Sequence, residues 1–269
     1  MCYDILIVGG GPAGLSAAIN GRVRGKTVLL LASPMEDSPL WKAERVENYL
    51  GLPGVTGAEL LTAFRRHAEA SGAELRELRA LSAMPAGDRW YLSGEDQVFE
   101  GRALILAAGA VRGKPLPGEE RLLGRGVSYC ATCDGMLYRG RNVVVLGWTG
   151  SAEREADFLR GIGCAVRYYD RPQGVEILGE EAVTGVRVNG REEAADAVFL
   201  LRPAVAPAAL LPGLAMENGS VTVDRQMATN LPGVFAAGDC TGAPYQVAKA
   251  VGEGLIAGQS AAKWADRQG

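Results

Sequence analysis

Histidine is nearly absent from this chain. Of 269 residues only His67 carries an imidazole, and it falls in a polar stretch of helical pattern, so it reads as a surface residue. Any proton transfer must therefore run through a carboxylate, a thiol or solvent. Cysteine is sparse as well. Five cysteines with a single C-x-x-C do not make a secreted disulfide framework, and no second C-x-x-C completes a four-ligand zinc set. No metal site is expected. No apolar run reaches membrane-spanning length, and no basic n-region or cleavage site precedes the first apolar strand, Tyr3–Val8, so a cytoplasmic protein without a membrane partner is expected. An excess of one charge is also lacking. The net charge is −3, and the basic residues are scattered (Arg22, Arg24, Lys26; Arg65, Arg66; Arg139, Arg141), which leaves no nucleic-acid footprint.

What is present is an ordinary globular composition, 48% hydrophobic and 22% charged, with room for one large or two modest domains. Strand Tyr3–Val8 runs through Gly9-Gly10-Gly11-Pro12-Ala13-Gly14 into a helix that starts at Pro12 and ends near Gly25. Thr27–Leu31 follows as the next parallel strand of a βαβ unit. A helix from about Ala58 to Ser71, short alternating stretches to Val98 and a buried strand Ala103–Ala107, ending in Ala108-Gly109-Ala110, complete the first region. Gly113–Gly126 reads as a connection. Beyond Cys130-Ala131-Thr132-Cys133-Asp134, strand Asn142–Leu146, helix Ser151–Gly161 and strand Ala165–Tyr169 repeat the βαβ pattern. Val183–Val188 and Ala197–Leu201 flank Asn189-Gly190 and are expected to pair as a hairpin. The Ala/Pro-rich stretch 203–212 crosses back toward Gly233-Val234-Phe235-Ala236-Ala237-Gly238-Asp239 and a long final helix from about Gln246.

Two constellations carry chemistry. Gly9, Gly11 and Gly14 supply a tight turn, a close approach to pyrophosphate and a close helix–strand contact, while the helix start offers free N–H groups to phosphate. The acid that usually follows about 20 residues on is missing; the second strand ends Leu31-Ala32-Ser33, so Ser33 or backbone must serve the ribose. The C-x-x-C holds two sulfurs close enough for a reversible disulfide, and a nearby helix end can make one of them nucleophilic, with Asp134 within reach for proton work. Cys240, beside Asp239, reads as a small core residue rather than a third redox thiol.

Over nearly its whole length the chain resembles the low-molecular-weight thioredoxin reductases. The resemblance rests on Gly9–Gly14, Val46-Glu47-Asn48, Gly124–Asp134 and Ala228–Asp239. It implies an α/β fold of two Rossmann-like, three-layer domains, the second shortened. Residues 1–112 and 206–269 would form a discontinuous FAD-binding domain, and 113–205 a degenerate nicotinamide-type domain carrying the C-x-x-C. By the same resemblance Gly9, Gly11, Pro12, Ala13 and Gly14 hold the FAD pyrophosphate, Asn48 approaches the flavin, and Asp239 after Gly238 binds the ribityl chain. Gln246 and Val247 would lie near the isoalloxazine ring, and Ala108 and Gly109 join the cofactor set. Cys133 would face the flavin, Cys130 would attack the partner's disulfide and Asp134 would shuttle a proton. A homodimer is implied.

The second βαβ unit departs from that family. Its turn reads Gly147-Trp148-Thr149-Gly150-Ser151-Ala152, so a β-branched residue occupies the close-approach position and Trp148 adds bulk. Asp170-Arg171-Pro172 replaces the basic stretch for a 2′-phosphate, and Asp170 would repel that phosphate, although it stands where an NAD-specific acid belongs. Trp148 can equally be a packing residue. The chain is therefore most like the NADPH-independent, ferredoxin-dependent flavin thioredoxin reductases. Its expected partners are thioredoxin and ferredoxin or another low-potential one-electron carrier. Ferredoxin at about −400 mV and thioredoxin at about −270 mV leave about 130 mV, or about 6 kcal/mol for two electrons. The alternatives are an NAD(P)H-dependent reductase, an oxygen-using FAD dithiol oxidase, and a flavin-loaded redox sensor without turnover.

Overall fold

The computed structural model describes residues 2–94, 97–109, 115–129, 131–148, 152–202 and 207–268, and only the backbone of Thr132 and Cys133. The chain divides into two compact units, residues 1–111 with 204–269 and residues 112–203.

The first unit opens with β1 (Cys2–Val8), α1 (Pro12–Val23) and β2 (Val28–Ala32). α2 (Gly57–Ala70) begins at a capping box in which Thr56 and Glu59 satisfy each other's backbone N–H groups. β3 (Glu74–Glu77), β4 (Ala80–Ala86), β5 (Arg89–Gly94) and β6 (Gln97–Leu106) follow. β1 lies between β2 and β6 in parallel register, with Leu6 opposite both Leu29 and Leu104. Their paired central segments, Ile5–Val8, Val28–Leu31 and Ala103–Leu106, are apolar because both faces of the sheet are covered. The expected strand Ala103–Ala107 is thus only the inner half of β6. Its outer half, Gln97–Gly101, alternates in burial and pairs antiparallel with β5, which concealed it from a search for a continuous apolar run.

The second unit contains α3 (Glu119–Leu122), β7 (Val127–Ser128), α4 (Ala131–Asp134), β8 (Asn142–Gly147), α5 (Ala152–Gly161) and β9 (Ala165–Asp170). Next come β10 (Val175–Leu178), β11 (Gly185–Val188), β12 (Arg191–Ala194) and β13 (Ala197–Leu201). A parallel sheet runs in the order β7-β13-β8-β9, and β10-β11-β12 form a separate antiparallel sheet. The hairpin expected at Asn189-Gly190 exists, but its second arm is β12 rather than Ala197–Leu201. The polar arm Arg191-Glu192-Glu193-Ala194 is held by Arg187–Glu192 pairing, whereas the wholly buried β13 pairs in parallel with β8 and β7. Charge on one arm hid a strand that apolar patterning alone could not find.

The chain re-enters the first unit with α6 (Pro207–Leu210), the short pair β14 (Met216–Glu217) and β15 (Ser220–Val221), β16 (Val234–Ala236) and α7 (Val247–Arg267). β16 pairs in parallel with the inner half of β6. α7 lies on α1 at backbone distance: a Cβ on Gly254 would sit 2.1 Å from the Ala13 carbonyl oxygen, and one on Gly258 2.6 Å from that of Ala17. The Ser16 hydroxyl bridges the same helices by donating to Val251 O at 2.7 Å. Gly254→Ala is therefore expected to destabilise the protein by about 2 kcal/mol or more, the scale of overpacking in a rigid contact. The shift in urea midpoint measures this, and an unchanged midpoint would mean that α7 separates from α1 freely.

Candidate functional site

The glycine turn after β1 contains glycines with different duties. Gly9 has φ +112°, and a Cβ there would lie 2.1 Å from Ala107 O; a Cβ on Gly14 would lie 1.9 Å from Gly9 O. Both serve the chain's own packing. A Cβ on Gly11 would meet no atom within 4 Å, so the chain itself does not require glycine there. Gly11 caps α1 in extended backbone without a side-chain cap, Pro12 occupies the first helical position, and the first turn carries no acid. The result is an open cradle at a helix start whose N–H groups and dipole favour an anion. These residues fit a dinucleotide pyrophosphate.

Other expected residues are placed around that unit. Ser33 directly follows β2, and the next carboxylates in sequence belong to the 3-10 turn Met35–Asp37. Ala108 and Gly109, the latter with φ +75°, extend from β6 beside the Gly9 turn. Gly238 and Asp239 begin a 3-10 turn, Gly238–Thr241, after β16. Gln246 is the N-cap of α7 and Val247 its first residue. Asn48 and Gln246, 198 positions apart, are joined by an Asn48 Nδ2 to Gln246 Oε1 hydrogen bond of 2.7 Å. The strand-end turn carrying Asp239 is also tied to α7 through Lys249 and Glu253, which the sequence reading passed over. Their spacing of four in a glycine- and alanine-rich helix was the available signal. Cys240 is a core residue as expected: its thiol donates to Ala237 O at 3.3 Å and Leu106 O at 3.4 Å, and burial pushes it up to about 12.

In the second unit Cys130 and the side chains of Thr132 and Cys133 lie outside the described residues. α4 carries Asp134, whose carboxylate accepts a 2.7 Å hydrogen bond from the Ser128 hydroxyl on β7. Burial first, then the charge of Asp134, push the Tyr138 phenol up. Tyr129, next to Cys130 in sequence, donates to the buried Glu119 at 2.9 Å. Burial and the Glu119 charge raise this phenol too. Glu119 also receives both Arg202 guanidinium nitrogens, at 2.8 and 2.9 Å, and the Leu116 N–H at 2.7 Å. Glu119 and Arg202 escaped the sequence reading because they lie 83 positions apart and no motif marks them, and Ser128 because nothing in the sequence shows that its hydroxyl meets Asp134.

Around the second strand-to-helix turn the described residues are Gly147, Trp148 and Ala152. A Cβ on Gly147 would strike Ala152 Cβ at 2.5 Å and the Tyr168 ring at 2.8 Å. Trp148 donates its backbone N–H to Leu201 O at 2.8 Å, packs on the local core and lies 5.3 Å from the Arg202 guanidinium. It is a packing residue in contact with a cation. Thr149 lies outside the described residues. Asp170 ends β9 and is solvent-exposed, with Arg171 Nε 4.0 Å away.

Residues 3–182 and 171–254 match the sequence profile of the pyridine nucleotide-disulphide oxidoreductases. The chain belongs to that family. A thioredoxin reductase of Listeria innocua is 31% identical over 300 residues, covering 98% of this chain and 94% of the relative. A ferredoxin-flavin thioredoxin reductase of Clostridium acetobutylicum is 39% identical in sequence, with a TM-score of 0.88 over 100% of this chain and 99% of its own. A thioredoxin reductase of Gloeobacter violaceus is 30% identical with a TM-score of 0.82, over 99% and 95%. This member of the pyridine nucleotide-disulphide oxidoreductases is thus a thioredoxin reductase-like flavin disulfide oxidoreductase of mixed α/β fold.

Two outcomes follow from these surroundings. Gly11→Val should leave the melting temperature within a few degrees of wild type yet reduce flavin occupancy at least tenfold, measured by absorbance after denaturation. Full occupancy would remove the cradle from the cofactor site. Because Cys240 stays protonated in the fold up to about pH 12, while an unfolded thiol ionises near about 8.5, the stability it lends is whole below the unfolded value. It is lost as pH rises toward the folded one. Iodoacetamide at pH 8 should therefore label Cys240 only after denaturation, as peptide mass spectrometry would show.

Proposed function

We propose that this protein is an FAD-dependent thioredoxin reductase that takes its electrons from reduced ferredoxin rather than from NADPH. The observation that carries the proposal is the contrast between the two strand-to-helix turns: the first has Gly10 and Gly11, the latter with open space where a Cβ would stand, and the second has in their places Trp148, which packs on the local core 5.3 Å from the Arg202 guanidinium, and Thr149. The Clostridium acetobutylicum relative, a ferredoxin-flavin thioredoxin reductase, supports the choice of donor. Residues 1–112 and 206–269 form the FAD domain in this reading. Gly9 to Gly14 receive the pyrophosphate, Ser33 with backbone the ribose, and Asp239 the ribityl chain; Asn48, Ala108, Gly109, Gln246 and Val247 line the remainder. Bound FAD supplies the exchange between single electrons and the electron pair that a disulfide requires.

Residues 113–205 carry the dithiol to the partner. The Cys130 thiolate attacks the thioredoxin disulfide and releases one partner thiolate. Cys133 then attacks Cys130 in the mixed disulfide, releasing the second partner thiolate and closing the Cys130–Cys133 disulfide. Two electrons reopen that disulfide, and Asp134, steadied by Ser128, exchanges the accompanying proton in a chain with no second histidine candidate. Met136 and Leu137, exposed immediately after α4, offer an apolar contact to the arriving thioredoxin. Asp170, exposed at the end of β9, favours NADH over NADPH should a nicotinamide be used at all.

Anaerobic stopped-flow absorbance decides the donor. Micromolar reduced ferredoxin should bleach the flavin and support thioredoxin reduction, with both nicotinamides at least a hundredfold slower; rapid bleaching by NADPH without a response to ferredoxin overturns the assignment. Cys130→Ser should keep flavin reduction and lose thioredoxin turnover by at least a thousandfold, and Cys133→Ser should uncouple flavin from partner. Turnover near wild type in either variant would remove the dithiol from the relay.

A further inference from the structure

The 3-10 turn Gly238–Thr241 has little structure of its own to hold it. It is four residues long, begins at a glycine with φ +85°, and its first residue has no room for a side chain, since a Cβ would lie 2.8 Å from Ala13 Cβ. Two charged side chains of α7 close over it. The Lys249 ammonium donates to Gly238 O at 2.8 Å, Thr241 Oγ1 at 2.9 Å and Gly242 O at 2.7 Å, and lies 3.2 Å from Glu253 Oε2. Glu253 Oε2 accepts the Gly238 N–H at 2.8 Å. The Thr241 hydroxyl stands 2.8 Å from the same oxygen and 2.7 Å from Gly238 O. Both side chains are more than four-fifths buried. All three ammonium protons have acceptors, and the backbone on both sides of Asp239 is held from one helix turn.

We infer that Lys249 and Glu253 are positioning residues for the cofactor, fixing the backbone that presents Asp239 beside the Gly11 cradle. This rests on the reading of Gly9–Gly14 and Asp239 as the FAD site. Neither side chain is assigned a contact with FAD. Their effect is preorganisation: a turn already held at Gly238, Thr241 and Gly242 loses less freedom when the ribityl chain binds. The pair also explains why charged residues occupy the half-buried start of α7. An ion pair there is costly to desolvate unless its hydrogen bonds are filled, and here they are. Removing Lys249 leaves Glu253 charged and enclosed, whereas Lys249 keeps three oxygen acceptors if Glu253 is neutralised.

The test is FAD release from the purified holoprotein, followed as the rise in free-flavin fluorescence after dilution. Lys249→Met should release FAD at least tenfold faster than wild type. Glu253→Gln, whose amide oxygen can still accept from Gly238 N, should stay within threefold. Thr241→Val, a smaller change suited to the case in which Lys249→Met does not fold, should release FAD at least threefold faster. Trp264→Phe, which deletes the bond from Trp264 Nε1 to Arg102 O elsewhere on α7, should lower the melting temperature yet leave release within twofold. Release within twofold of wild type in both Lys249→Met and Thr241→Val overturns the inference, as does equal acceleration by Trp264→Phe, which would reveal a general loss of stability. A wild-type protein that purifies without FAD would instead overturn the cofactor reading, and this inference with it.

Discussion

The close approach of three backbone segments around Ala13 is the constraint on which the first unit depends. Gly14 brings the start of α1 against the Gly9 carbonyl, Gly254 brings α7 against the Ala13 carbonyl, and Gly238 brings the turn after β16 against the Ala13 methyl. Each contact leaves no room for a side chain, so each position tolerates glycine alone without a shift of backbone. The residues involved lie far apart in sequence, and their meeting is what places Gly11 and the Asp239 turn in one neighbourhood. The parallel strands beneath are a consequence as well as a support. β1, β6 and β16 end together, and their ends deliver Gly9, Ala107 and Ala237 to the same edge.

The second unit repeats the strand–turn–helix pattern with Trp148 and Thr149 in the places of Gly10 and Gly11. Tyr168 rests on Gly147, Trp148 turns into the local core, and Arg202 spans Trp148 and Glu119. Burying Glu119 and Arg202 would be costly if either were poorly matched. The carboxylate instead receives a two-pronged guanidinium, a phenol and a backbone N–H, which is the geometry that offsets desolvation. That cluster draws together the approach to α3, the residue before Cys130, the end of β8 and the end of β13.

Legibility from sequence followed the range of the interactions. The βαβ units and the turn at Asn189-Gly190 are local, and periodicity or turn chemistry revealed them. The partner of that turn was misassigned because β12 is charged and β13 apolar, and apolar patterning ranks the wrong one first. Gly9, Gly11 and Gly14 were recognisable with their separate duties, and the atomic spacing agrees: Gly9 and Gly14 are packed against the chain and Gly11 faces open space. The pairing of Asn48 with Gln246 confirms their proximity, not their role. Glu119 could not be singled out, since a charged residue in a sequence shows nothing of the distant guanidinium that it will meet, and the spacing of Lys249 and Glu253 shows a pair but not the turn that it holds.

A flavin disulfide oxidoreductase with five cysteines must keep most of them out of the chemistry. Reactivity belongs to the thiolate, so burial that disfavours ionisation is enough to silence a cysteine. Cys240 is held neutral by its apolar surroundings despite lying beside Asp239, and Cys164 is pushed up by burial while donating to Tyr138 O at 3.2 Å. Cys2 is set apart by distance instead. It begins β1, whose far end opens into the glycine turn, and seven residues of strand span about 20 Å. Selection among the three described free cysteines is therefore made by the fold before any cofactor or partner arrives: Cys164 and Cys240 are buried with their thiols pushed toward the neutral form, and Cys2 is remote from the cradle.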